Sequence, residues 1–230
     1  DLYTYAAPPD LPAGVRVLDA ADIVPADRAP LRNDGTFAAG SMGSFSDHFR
    51  YHLLLARGGW WVDMDVVCLR PWRFSQPALT ASTDELQGGR IANGFVLRFP
   101  PGHPVMAACA AATDRLQLHA VGIDQTGPLL LNRTLTELGQ RELMLPPSVF
   151  SPVPWNASHR LVQPPWRRFT LTELKHHLRR PHLRNHFTRD TAGLHLWNET
   201  WRHAGRDKNA RYPHRSLYEQ LQRRYNPARS

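Results

Sequence analysis

The spacing of apolar residues changes period most sharply between Ser46 and Pro71. Phe49, Leu53 and Leu54 recur at helical spacing and share one face of a predicted helix. Asp47 and Arg50, three apart, share another. Ser46 is placed as the N-cap of this helix. Asp47 then falls in its first turn, where a carboxylate suits the positive end of the helix dipole. Gly58-Gly59 stops the helix. Trp60, Trp61, Val62, Val66 and Val67 then predict a buried strand that carries Asp63-Met64-Asp65 inside it.

The rest of the chain alternates short strands with helices. Residues 2–6 predict a strand, Pro8, Pro9 and Pro12 a turn, Val15 to Leu18 a second strand, and Asp19 to Ile23 a helical turn. Residues 25–44 are loop-like. Ala78 to Ala81 predicts a strand, Gly88-Gly89 a turn, and Ile91 to Leu97 a further strand interrupted by Asn93. A helix is expected over Val105 to His119. Another is expected over Pro128 to Leu138, entered through Thr126-Gly127-Pro128, because proline suits a first helical turn. Leu143 to Trp155 is broken by prolines. Gly193 to Asn198 predicts a last short strand, and a helix around Leu217 to Leu221 falls in a polar, Arg-rich end. Alternating elements of this kind predict an α/β class. The domain expectation is one domain over 1–201 with a basic tail over 202–230.

At 230 residues the chain is long enough to bury a full core. No run of eighteen or more apolar residues predicts a membrane span. Cys68 and Cys109 read as small buried apolar residues, and two cysteines make neither a disulfide framework nor a cysteine metal site. The formal charge of +8 implies an anionic partner: a phosphorylated substrate, a membrane surface or nucleic acid. Arginine dominates the positive set and suits diphosphate recognition; a GC-rich genome would enrich it equally. No zinc-finger, RNA-binding or helix-turn-helix spacing is present, so nucleic acid is not expected. The basic segment Trp166 to Arg189 carries Arg167, Arg168, Lys175, Arg179, Arg180, Arg184 and Arg189. It reads as a solvated helix face or as a patch that docks on an anionic membrane.

Candidate chemistry centres on Asp63 and Asp65. Two residues apart on a strand, they would point the same way, with Met64 opposite. Converging carboxylates repel each other unless a cation lies between them, and a hard divalent ion with oxygen ligands removes the repulsion. The alternative is a buried strand whose aspartates cap a neighbouring turn.

The order S-D-x-x-R-Y, then G-G-x-x-x-D-x-D, then a proline resembles the DXD sugar-binding region of a glycosyltransferase family. That family includes capsular polysaccharide transferases, fungal α-1,6-mannosyltransferases and animal lactosylceramide α-1,4-galactosyltransferases, and clostridial glucosylating toxins share its core. The resemblance implies a GT-A-type nucleotide-sugar-binding domain, a central mixed sheet flanked by helices, and retention of anomeric configuration. It also implies that the abrupt start at Asp1 follows a missing opening strand, leaving an exposed edge near Leu2 to Ala6.

By the same resemblance, Asp65 holds the metal and Asp63 reaches the metal or the donor ribose. Asp47 and Arg50 hold sugar hydroxyls and phosphate. Asn93, ahead of Gly102-His103-Pro104, lies near the donor sugar or else satisfies a buried turn. Gly127 belongs to the family's T-G-P loop. Asp124-Gln125 resembles the D-Q of retaining galactosyltransferases, where the Asp binds sugar hydroxyls and the Gln lies below the anomeric carbon; Asp124 as a helix cap is the other reading. His195-Leu196-Trp197 resembles the terminal H-x-W strand, in which His195 and Trp197 share a face. His195 is expected as a third metal ligand, unless it is a core histidine bonded to a backbone carbonyl. Two carboxylates plus an imidazole favour Mn²⁺ over Mg²⁺.

The expected function is transfer of a hexose from UDP- or GDP-hexose to a glycan or glycolipid hydroxyl. The alternatives are a non-catalytic nucleotide-sugar or carbohydrate-binding module, and a basic membrane- or nucleic-acid-binding protein. Sequons begin at Asn132, Asn156 and Asn198. A glycan on Asn198 would obstruct His195, so a cytoplasmic bacterial location, peripheral at the inner membrane in one version, is preferred over the Golgi lumen.

Overall fold

The computed structural model describes residues 1–6, 10–29, 42–84, 89–118, 120, 123–164 and 187–226. Pro8, Pro9, residues 30–41, Gly88, His119 and the basic positions Arg167, Arg168, Lys175, Arg179, Arg180 and Arg184 lie outside them. The chain is mixed α/β. It divides into two compact units. The first comprises 1–61, 75–80 and 92–143, and the second 62–74, 81–91 and 144–230.

In the first unit, β1 (Leu2–Thr4) and β2 (Val17–Asp19) pair in parallel, Leu2 opposite Val17. Asp19 closes the following 3-10 turn by accepting from the Ala21 amide at 2.8 Å. Helix α1 runs over Met42–Arg57, so it starts a turn earlier than expected. The cause is Phe45, which continues the four-residue spacing of Phe49 and Leu53 and is buried with them against Ala20, Val24 and Leu118. Ser46 is therefore an interior position, not the N-cap. Its hydroxyl accepts from Arg50 at 3.0 Å.

Gly58 ends α1 at φ +63, with its amide on the Leu54 carbonyl at 3.0 Å. A Cβ there would meet the Pro101 nitrogen at 2.6 Å, so position 58 excludes a side chain twice over. Helix α2 (Pro104–Asp114) begins with a proline behind a His103 cap and ends five residues short of the expectation. Leu118 beyond it turns into the core instead. The short helix α3 (Ile123–Thr126) leads into α4 (Pro128–Glu137). Helix α1 packs on α2 and α3, and α4 packs on α2.

The expected strand from Trp60 to Val67 is broken. β3 (Gly59–Val62) and β4 (Val66–Cys68) are separate, and Asp63-Met64-Asp65 forms the turn between them. Its strands are half-buried at most, and Cys68 is exposed, not buried as expected. β5 (Leu79–Asp84) starts where a strand was predicted and runs further, as does β6 (Arg90–Phe99). Among the described residues the strands form three small sheets, β1-β2, β3-β6-β5 and β4-β7, in place of one central sheet.

In the second unit, β7 (Gly193–His195) pairs antiparallel with β4. Leu194 enters a core with Val153, Ala157, Leu161, Trp201, Tyr218 and Leu221. The last two lie on helix α6 (Leu217–Tyr225), capped by Ser216, which follows the short helix α5 (Asn198–His203). The polar end of the chain thus supplies core residues: Tyr218 meets Trp201 edge-on at 4.8 Å. Buried Glu219 accepts from the Tyr212 amide at 2.8 Å and fixes the approach to α6.

Candidate metal centre

The site grows from the turn at Asp63. The Val66 amide donates to the Asp63 carbonyl at 3.0 Å, and Met64 at the tip is 95% exposed. Aspartate favours such turns because its side chain serves nearby backbone groups. The two carboxylates are thus placed by a turn, not by strand alternation as expected, with Met64 in solvent.

Pairing of β4 with β7 then sets Val66 opposite His195. The Leu196 amide donates to the Asp65 carbonyl at 2.9 Å, and the His195 amide to the Phe150 carbonyl at 2.9 Å. Gly193 admits this packing, since a Cβ there would lie 3.0 Å from the Phe150 ring. His195 Nε2 approaches Asp65 Oδ1 at 3.0 Å, and the Asn198 amide donates to Oδ2 at 2.9 Å. Burial alone would raise the Asp65 pKa. The His195 hydrogen bond and charge, with the Asn198 amide, outweigh it and hold the carboxyl below its ordinary value. Asp65 is therefore ionised at neutral pH.

Trp197 does not extend the strand. It adopts the left-handed conformation at φ 60, ψ 45, a strained position for a tryptophan. Its indole Nε1 donates to the Val153 carbonyl at 2.8 Å. The ring lies 4.0 Å from the His195 ring, so the two pack together despite the break in period. Trp197 is a buried wall for the imidazole.

One ligand atom each from Asp63, Asp65 and His195 lies within 4.8 Å of the others. An ion about 2.0–2.3 Å from each donor spaces adjacent ligand atoms by roughly 3 Å and opposite ones by up to about 4.6 Å. The His195–Asp65 separation of 3.0 Å already matches an adjacent pair. Two carboxylate oxygens and one imidazole nitrogen are a donor set that could hold a divalent cation.

No protein-family model matches the chain, and no curated protein matches it either.

The other candidate residues lie in the first unit or its loops. Asp47 and Arg50 form an ion pair at 3.4 Å with side chains only 5% and 8% exposed. Thr126 donates to Asp47 at 3.0 Å, and Tyr51 donates to the Thr126 carbonyl at 2.8 Å. The Arg50 guanidinium lies 4.9 Å from the Trp61 ring centre. It also fills the space over Gly94, where a Cβ would be 2.5 Å from Nη1. The structure thus brings Asp47, Arg50, Gly94 and Thr126 together as a buried cluster. Gly127 is buried as the N-cap of α4, its carbonyl accepting from the Leu131 amide at 3.0 Å. Asn93 is half-buried on β6, Gln125 is exposed, and Asp124 lies on α3. Sequence reasoning missed the Asn198 amide and the Phe150 carbonyl. Backbone partners carry no residue-type signal, and only the fold reveals them.

Proposed function

We propose that this chain is a metal-dependent glycosyltransferase that moves a hexose from a UDP- or GDP-hexose to a hydroxyl of a glycan or glycolipid, with retention. The observation that carries the reading is the convergence of Asp63, Asp65 and His195 on one point of the second unit. A bound Mn²⁺ or Mg²⁺ would supply Lewis-acid stabilisation of the leaving diphosphate. The protein's part is to hold the donor atoms in place. Asp65 stays ionised, the Asn198 amide fixes one of its oxygens, and Trp197 fixes the plane of His195. Donor contacts from Asp63 and Trp197 belong to the same proposal; donor contacts from Asp47, Arg50, Asn93 and Gly127, and a catalytic role for Asp124 and Gln125, rest on the sequence resemblance alone. So does a GT-A-type arrangement of the strands. No described helix is long and apolar enough to cross a membrane, so a lipid-linked acceptor would be met at a surface.

The test is release of UDP or GDP from a panel of hexose donors with Mn²⁺, with and without oligosaccharide acceptors. Metal-dependent release that Asp65→Asn lowers by two or more orders of magnitude supports transfer. Donor binding without release, seen as a raised melting temperature, supports a non-catalytic binding module. Absence of both overturns the proposal.

A further inference from the structure

A second cluster of metal-ligating side chains lies in the first unit, apart from the residues assigned above. His48 and His52 are one turn apart on α1, and their rings approach at 4.4 Å between centres. Asp114, the last residue of α2, faces them: its Oδ1 lies 3.2 Å from His52 Nε2. One ligand atom from each of the three lies within 4.8 Å of the other two.

The hydrogen bonds define which nitrogen is available. The Thr113 hydroxyl donates to the Ala110 carbonyl at 2.9 Å. Its single proton is thereby used, so towards His48 Nδ1, at 2.9 Å, it accepts. His48 therefore carries its proton on Nδ1 and a lone pair on Nε2. This is the arrangement in which a polar partner on one ring nitrogen fixes the other for a metal. His48 is buried, so its ring is held in place by the packing of α1 on α2.

His52 supplies the second, independent sign. Its Nε2 is buried and makes no hydrogen bond among the described residues, although it lies 3.2 Å from Asp114. Such an atom costs stability unless something else satisfies it. A simple ion pair with Asp114 leaves that misaligned contact unexplained, and Arg28 already meets the same carboxylate oxygen at 3.4 Å.

We propose that His48, His52 and Asp114 form a Zn²⁺ site that clips α1 to α2. Two imidazoles four residues apart on a helix and one carboxylate from a neighbouring helix are a borderline-soft donor set. Tetrahedral Zn²⁺ at about 2.0–2.2 Å spaces its ligands by roughly 3.3 Å. The 3.2 Å between His52 and Asp114 already fits, so His48 is the ligand that closes in. Asp114 is partly exposed, leaving the fourth position to water.

The experiment is Zn²⁺ titration by competition with a chromophoric chelator, done on the Asp65→Asn chain so that the other centre does not contribute. Co²⁺ absorption reads the geometry. One Zn²⁺ per chain with Kd at or below micromolar is expected, with an intense tetrahedral Co²⁺ band. His52→Gln and Asp114→Asn should each weaken binding at least tenfold, while His203→Gln, distant in sequence, should not. His52 and Asp114 are the accessible members, and circular dichroism confirms that their variants fold. Failure of the Asp65→Asn chain to bind, or binding that His52→Gln and Asp114→Asn leave unchanged, overturns the site. Neither result bears on the Asp63–Asp65–His195 centre.

Discussion

Nε2 of His195 lies 3.0 Å from Oδ1 of Asp65, across 130 positions of sequence. The contact is fixed from the backbone upwards: β4 and β7 set Val66 opposite His195, and the Leu196 amide holds the Asp65 carbonyl. Side chains held by the ladder lose little further freedom when they take up an ion. Preorganisation of this kind is what a metal centre requires.

The pair has a consequence for metal-free stability. Asp65 is held below its ordinary 3.8, so its folded pKa is lower than its unfolded one. Its contribution is fully present above 3.8 and is lost as pH falls through the lower folded value. Urea unfolding of the wild type and Asp65→Asn should therefore differ most at neutral pH and converge in acid below 3.8. A stability difference that stays constant across that range would show that the carboxylate is not stabilised by its neighbours.

Arg50→Ala is expected to damage the fold. An exposed pair would contribute about 0–1 kcal/mol, and on that basis the substitution would be mild. Here both side chains are more than nine-tenths buried, so the substitution leaves Asp47 charged in the interior. A cost of about 3–5 kcal/mol is expected from chemical denaturation. Asp47→Asn combined with Arg50→Met should recover much of it. A loss below about 1 kcal/mol for Arg50→Ala would contradict the buried cluster.

Gly58→Ala and Gly139→Ala separate strain from crowding. Both glycines have positive φ, +63 and +65, but only position 58 faces Pro101 within 3 Å. Gly139→Ala should cost about 1–2 kcal/mol from the left-handed conformation alone. Gly58→Ala should cost about 1–3 kcal/mol more, because the proline backbone cannot yield as a flexible side chain would. Equal melting-temperature losses would show that the α1 terminus relaxes away from Pro101.

Trp197→Phe keeps an aromatic face beside His195 but removes the bond to Val153. A loss of about 1 kcal/mol is expected. Mn²⁺ affinity should fall with it, because the imidazole plane loosens. Calorimetric titration that gives the wild-type affinity would mean that Trp197 does not orient the ligand.

Several of these features were legible in the sequence, and the exceptions have physical causes. The end of α1 was clear, because Gly-Gly interrupts a strong four-residue period. Its start was not, because Ser46-Asp47 has cap chemistry and only tertiary burial of Phe45 overrides it. Asp63-Met64-Asp65 was masked by the Trp and Val residues on either side, which imitate one continuous strand. His195 stood out as a polar residue in an apolar strand, yet its register against Val66 depends on pairing that no local pattern encodes. The spacing of His48 and His52 is visible in the sequence as an i, i+4 pair. Asp114, sixty-two residues beyond His52, becomes their partner only through the packing of α2 on α1.

The most direct measurement of the central claim is pulsed electron paramagnetic resonance of Mn²⁺ bound with UDP, on a His48→Gln, His52→Gln chain that lacks both imidazoles of the second site. Asp63, Asp65 and His195 as ligands predict one bound Mn²⁺ with a directly coordinated ¹⁴N coupling. That coupling should vanish in His195→Gln, and binding itself should fall at least a hundredfold in Asp65→Asn. Bound Mn²⁺ with no nitrogen coupling, or with a coupling that survives in His195→Gln, would contradict the assignment.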